Sequence, residues 1–169
     1  QHALMDLNDS IVVSLNKGAS FIGEETVRYR RLTLESFEKI SALDKGIAEV
    51  RETIPKLKYP LEFDRVDVSE ALTTAQKNYT ASKDLAADML YYEGVALMDS
   101  GGLLNNQKAT FTFKRIERHV PNYRDTEELI KVAKENGTTK IAVLPFENFT
   151  GNAELGAVGE VISEELAQD

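Results

Sequence analysis

Residues 85–121 read LAADMLYYEGVALMDSGGLLNNQKATFTFKRIERHVP, and they indicate the kind of fold most clearly. Apolar and small residues keep helical spacing over 68–98, which predicts helical structure there. The pair Gly101-Gly102 stops this helical region, because glycine lowers helix stability. The next helix is predicted over 109–119 and ends before a proline. The stretch therefore predicts an antiparallel helical hairpin.

Helical spacing also continues on both sides of this hairpin. Upstream it predicts a helix over 3–16, with Gly18 at its C-terminal end, and a long helix over 24–54. Downstream it predicts a helix over 124–136. The spacing leaves open whether 68–98 is one helix or two.

The latter half of the long upstream helix carries a heptad seam. Its members alternate spacings of three and four residues, and they are Ile40, Leu43, Ile47, Val50, Ile54 and Leu57. Such a seam packs lengthwise against an antiparallel neighbour.

The hairpin resembles a tetratricopeptide repeat. In that family a small residue lies where two helices touch, large apolar residues fill the hairpin, and a proline breaks the second helix. The residues at the family's relative spacing are Leu90, Gly94, Leu97, Ala109, Phe113, Ile116 and Pro121. The turn 101–108 is longer than the family's, and Glu93 takes a position that is usually apolar. The resemblance covers 85–134, and a generic helical hairpin is the alternative.

The tetratricopeptide resemblance also implies a binding groove, since the family's groove is lined by the inner face of the first helix. By position, a groove for a protein or peptide partner would be lined by Asp88, Tyr91, Val95 and Met98. The alternative is structural: Val95 and Met98 belong to the core, and Tyr91 packs against Tyr92.

The last part of the chain begins a different kind of structure. Residues 139–146 predict a buried strand, and residues 153–168 predict an amphipathic helix. One strand and one helix cannot bury each other's apolar faces unaided. We therefore expect the chain to be a fragment that ends after the first βα unit of a truncated α/β domain.

The segment 140–151, KIAVLPFENFTG, is followed by an acidic predicted helix. It resembles the opening of the N-terminal domain of the TolB and curli-secretion CsgG type, which belongs to bacterial envelope families. A helical repeat followed by this opening is similar to the arrangement of some outer-membrane lipoproteins. The resemblance implies a periplasmic location and a lipid-bearing cysteine upstream of Gln1, and we expect contact with the membrane only through that anchor. The residues themselves leave a cytoplasmic location open.

Charge and composition limit the function classes. The net charge is −8, and all 20 Lys and Arg residues lie at or before Lys140, which argues against nucleic acid as the main partner. The basic clusters 28–31 and 114–118 lie among acids and are interpreted as solvated helix faces. His119 is placed to interact with a helix dipole. With no cysteine and two distant histidines, the sequence indicates no metal site, cofactor or catalytic residue.

These patterns predict a mainly α fold: an antiparallel helical bundle with tetratricopeptide-like hairpins and a C-terminal βα unit. The predicted divisions are 1–66, a long-helix hairpin; 67–138, the repeat-like helices; and 139–169, the start of a TolB/CsgG-like domain. The predicted function is a non-enzymatic scaffold of an envelope lipoprotein that mediates protein–protein interaction. The alternative is a regulatory or sensory segment of a larger protein whose active domain lies outside this chain. Self-association through a strand at 140–145 is a further prediction.

Overall fold

The computed structural model describes residues 2–53 and 67–140, except for the side chains of 2–4 and 51. It contains five α-helices in these ranges: α1 His2–Ser20, α2 Glu24–Thr53, α3 Ser69–Asp99, α4 Leu103–His119 and α5 Thr126–Asn136. No strand occurs in the described ranges. The prediction of a mainly α, helical-bundle fold is confirmed. The predicted strand and helix within 141–169 lie outside the described residues.

The helices pack in chain order. The principal contacts among them join α1 to α2, α2 to α3, α3 to α4 and α4 to α5. Short turns connect α1 to α2 and α3 to α4, so the partners in each of these hairpins run antiparallel. The chain divides into two units, Gln1–Gly137 and Thr138–Asp169, and all five helices belong to the first.

The tightest packing lies among α3, α4 and α5. The buried members of this α3–α5 core are at most 4% exposed, and they are Ala87, Leu90, Ala109, Phe113, Ile116 and Ala133. A Cβ atom added at Gly94 would come within 2.5 Å of Phe113 Cε1. The missing side chain is therefore what allows α3 and α4 to approach so closely. Leu97 packs half-buried against this core, and Pro121 is exposed in the α4–α5 turn.

A second and looser core joins α1, α2 and the start of α3. The buried members of this α1–α2 core keep 6 to 9% exposure, and they are Ile11, Ile40 and Val68. A pair of hydroxyl groups lies in the same interface. Ser14 Oγ and Thr33 Oγ1 are 2.8 Å apart, and Thr33 is only 2% exposed. Polar contacts thus share this interface with apolar ones.

The turn between α3 and α4 is shorter than predicted. α3 is one unbroken helix, and α4 begins directly after Gly102 rather than at 109. Gly101 and Gly102 have φ values of +64° and +82°, which glycine adopts without steric cost. The side-chain amides of Asn105 and Asn106 donate to the carbonyls of Gly101 and Gly102, at 2.9 and 2.8 Å. These bonds stabilise the first turn of α4, which has no apolar periodicity of its own.

Two other helix ends differ from the prediction. α1 continues past Gly18, and the left-handed glycine of the α1–α2 turn is Gly23, with φ +64°. α5 begins at Thr126 rather than at 124. Asn122 and Arg124 have φ values of 56° and 47°, which are incompatible with a right-handed helix. The α4–α5 turn therefore extends further along the chain than the sequence pattern indicated.

α1 covers only part of the heptad seam on α2. Ile40 is 8% exposed, but Leu43 and Val50 remain 41% and 46% exposed. Leu43 and Val50 line an open groove of about 700 Å³, together with Leu7 and Ile47. α1 has 19 residues and α2 has 30, so α1 is too short to cover the whole helix. The last seam positions lie outside the described residues.

Candidate functional site

The four predicted groove residues lie along one side of α3. Asp88, Tyr91, Val95 and Met98 are all half-buried. Tyr91, Val95 and Met98 pack against the α3–α5 core. Each of these side chains therefore contributes to the core and still keeps part of its surface accessible.

Asp88 and Tyr91 connect α3 to the turn between α4 and α5. Asp88 Oδ1 accepts hydrogen bonds from the Tyr123 hydroxyl at 2.5 Å and from Arg124 Nη2 at 2.6 Å. The Tyr91 hydroxyl donates to Asp125 Oδ1 at 2.8 Å. These three hydrogen bonds hold the turn against α3, at one end of the predicted groove.

The guanidinium group of Arg124 lies among three tyrosine rings. Its Cζ atom is 4.8 Å from the ring centroid of Tyr91, 5.0 Å from that of Tyr123 and 5.6 Å from that of Tyr92. Tyr91 and Tyr92 meet edge to face, with ring centroids 5.8 Å apart. Tyr92 is 64% exposed, so it presents an aromatic surface to solvent. We call Asp88, Tyr91, Tyr92, Tyr123 and Arg124 the tyrosine–arginine cluster.

The hydrogen bonds of this cluster favour the protonated form of the Tyr91 and Tyr123 hydroxyl groups. Burial, together with the hydrogen bond to Asp88, raises the pKa of Tyr123 to about 12. The hydrogen bond to Asp125 raises the pKa of Tyr91. Both hydroxyls therefore remain hydrogen-bond donors around neutral pH, where a tyrosine is already uncharged.

A second polar cluster joins α2 to α4, and sequence reasoning missed it. Glu24 Oε2 accepts hydrogen bonds from Arg115 Nη2 and from Arg115 Nε, the latter at 3.1 Å. Glu24 Oε1 lies 2.9 Å from His119 Nε2. The hydrogen bond from Arg115 is the main cause of a lowered pKa for Glu24. The partners are 91 and 95 residues apart, so no local pattern could indicate the contact.

This cluster refines two interpretations of the sequence. Arg115 was interpreted as part of a solvated basic face among acids, and its side chain is 40% exposed, but its guanidinium is paired with one specific acid, Glu24. His119 lies at the C-terminal end of α4, as expected, but its side chain contacts Glu24 as well. The contact ties the start of α2 to the end of α4.

No protein-family model matches this chain, and neither does any curated protein or any solved structure. Within residues 2–53 and 67–140, no three acidic or histidine side chains are grouped so as to hold a metal ion. None of the five helices described above combines the length and the apolarity needed to cross a bilayer. The resemblances to tetratricopeptide repeats and to TolB/CsgG-like domains stay predictions from sequence motifs.

Proposed function

We propose that this protein is a non-enzymatic helical scaffold that binds a protein or peptide along α3. The groove is lined by Asp88, Tyr91, Val95 and Met98. The observation that carries the proposal is the tyrosine–arginine cluster beside this groove, with Tyr92 64% exposed. Tyrosine and arginine are enriched among the residues that contribute most to the stability of protein interfaces.

The cluster is preorganised for binding. Hydrogen bonds and ring contacts already fix Tyr91 and Arg124, so a partner that packs on them causes little further loss of side-chain entropy. Val95 and Met98 continue the groove with half-buried apolar surface. The flexible side chain of methionine adapts readily to the shape of a partner. The groove thus offers polar contacts at the Asp88 end and apolar contacts at the Met98 end.

Selection of random peptides displayed on phage, with the 169-residue chain as target, tests the proposal. We expect peptides that bind the chain, and we expect Tyr92→Ala to weaken their binding about tenfold or more, as at an interface hot spot. Phe111→Ala is the matched control, because Phe111 is an aromatic residue on α4 that is 70% exposed. Recovery of no binding peptide contradicts the proposal, as does equal weakening by the two substitutions.

The proposal includes a cellular setting, an outer-membrane lipoprotein of the bacterial envelope. Residues 139–169 would form the first βα unit of a TolB/CsgG-like domain. The motif at 140–151 supports this part of the proposal. The complete reading frame tests it. A signal peptide upstream of Gln1 that ends in small residues followed by a cysteine supports the location in the envelope. A cytosolic domain in that place contradicts it.

A regulatory segment of a larger protein is the second candidate. The contact of Glu24 with Arg115 and His119 favours this candidate, because it links the α1–α2 hairpin to α4. A polar contact of this kind couples distant regions of a protein when it has two alternative arrangements. Glu24→Gln separates the two candidates. A change in the affinity of the selected peptides supports regulation through this contact, and an unchanged affinity supports the plain scaffold.

A further inference from the structure

The outer side of α4 carries large apolar side chains in solvent. Leu104 and Phe111 are 61% and 70% exposed. Arg118 is also exposed, and the positions 104, 111 and 118 follow one another at intervals of seven residues, which is about two helical turns. They therefore form one line along the side of α4 that faces away from the α3–α5 core.

Two exposed lysines flank this line. Lys108 and Lys114 are displaced from Phe111 by about 60° around the helix axis, in opposite directions. Within the described residues, no ion pair involves Lys108, Lys114 or Arg118. Arg115 on the same helix is different, because it is paired with Glu24. We call Leu104, Lys108, Phe111, Lys114 and Arg118 the basic–apolar face.

The combination of unpaired cations and protruding apolar side chains matches an anionic lipid surface. The long stems of lysine and arginine reach lipid phosphates while an aromatic ring enters the interfacial layer. A protein partner would need a pocket of the right shape for Phe111. A lipid interface is soft and takes a protruding line of side chains without such a pocket.

The overall negative charge does not prevent this contact. The net charge of the chain is −8. At physiological salt the Debye length is about 8 Å, so only charges close to the lipid surface interact with it strongly. The acid of α4, Glu117, accepts a hydrogen bond from the Asn122 backbone at 3.3 Å, so it is directed toward the α4–α5 turn. The local charge of the basic–apolar face is positive.

We propose that α4 docks this protein on an anionic lipid surface through the basic–apolar face. Phe111 and Leu104 enter the interfacial layer, and the three cations contact lipid phosphates. This inference is independent of the proposed peptide groove, because it uses another helix, shares no residue with the groove and concerns another class of partner.

Tryptophan fluorescence gives a direct test, because the sequence contains no tryptophan. Phe111→Trp places one fluorophore at the centre of the face, and Tyr92→Trp places one at an exposed aromatic position on α3. Phosphatidylcholine vesicles with about 30% phosphatidylglycerol should shift the emission of the Phe111→Trp variant to shorter wavelength. The Tyr92→Trp variant should not respond, and pure phosphatidylcholine should shift neither. An unshifted Phe111→Trp variant, or equal shifts at both positions, overturns the proposal.

Co-sedimentation with the same vesicles measures the contribution of charge. Lys108→Glu/Lys114→Glu should lower the vesicle partition coefficient of the chain by at least about tenfold. Raising the salt from about 0.1 to about 0.5 M should also weaken binding. Lys45→Glu/Lys77→Glu is the matched control, since both lysines are exposed on other helices. Equal loss in the control overturns the proposal, as does binding to poly-glutamate without binding to vesicles.

Discussion

The two hairpins of this protein are packed to different densities. In the α3–α5 core, five of the six buried members have no exposed surface. The α1–α2 core is smaller, its members keep 6 to 9% exposure, and hydroxyl groups share its interface. Removal of buried atoms costs most where the surroundings are close-packed and cannot collapse. From this difference we expect the α3–α5 region, which carries the proposed groove, to be the more stable part of the bundle.

The largest effect is expected at Phe113, which is fully buried. Phe113→Ala should lower the free energy of unfolding by about 3–5 kcal/mol, through lost burial and a residual cavity. Phe37→Ala removes the same atoms from the α1–α2 core, where Phe37 is half-buried, and should have a smaller effect. Urea unfolding measures both. Equal losses would contradict the difference between the two hairpins.

A matched pair of glycines tests the same difference in packing between the two regions. Gly94→Ala should lower the free energy of unfolding by about 1–3 kcal/mol, because its Cβ would overlap Phe113. Nothing lies within 4 Å of a Cβ at Gly46 in α2. Gly46→Ala should therefore raise the stability by about 0.5–1 kcal/mol, through better helix propensity. Thermal unfolding of the two variants should shift in opposite directions. A shift of the same sign would refute the packing argument.

The hydroxyl pair of the α1–α2 interface should contribute less. Thr33→Val keeps the shape of the side chain and removes its contact with Ser14, so we expect a loss of about 1 kcal/mol in urea unfolding. Each hydroxyl can also donate to a carbonyl of its own helix at 3.0 Å, Ser14 to Ile11 and Thr33 to Tyr29. Ser14→Ala/Thr33→Val should therefore cost less than the sum of the two single variants, because the contact between the hydroxyls is lost only once. A double variant as unstable as the sum of the two single variants would show that the hydroxyls act independently.

The smallest effect is expected at Glu24, which connects the two regions. Its pKa is lowered from the usual 4.5 by Arg115. The ionised form is therefore favoured in the folded protein, and its contribution is present above pH 4.5 and lost as the pH falls through the lowered pKa. The side chain is 35% exposed, so we expect less than about 1 kcal/mol.

Unfolding in urea between neutral and acidic pH measures this contribution. Glu24→Gln should reduce the loss of stability at acidic pH. Glu25→Gln is the control, because Glu25 is adjacent, more exposed and 3.8 Å from its arginine partner. An identical pH profile for the two variants would mean that the contact with Arg115 does not stabilise the bundle.

The sequence predicted that the described regions are helical because apolar periodicity is a local signal, but it left open whether 68–98 forms one helix or two, and α3 is one. It placed α2 within a residue of its observed ends. It missed residues 103–108 of α4, where Asn105 and Asn106 support the helix through side-chain hydrogen bonds that no apolar pattern indicates. It also extended α5 back to Arg124, since the positive φ values of this turn depend on contacts with α3.

Residues of the candidate site were found only in part. The tetratricopeptide resemblance nominated Asp88 and Tyr91, because it assigns positions along one helix. Tyr123 and Arg124 were not nominated, since they reach Asp88 from 35 and 36 residues away. The contact of Glu24 with Arg115 was missed for the same reason. Long-range polar contacts require knowledge of which helices become neighbours.

The packing of helices in chain order has a consequence for motion. Each helix packs chiefly against those before and after it, and α1 packs against α2 in the looser of the two cores. Deuterium should therefore replace amide protons in α1 first and in α3 and α4 last, since these two helices have packed neighbours on both sides and supply most of the tighter α3–α5 core.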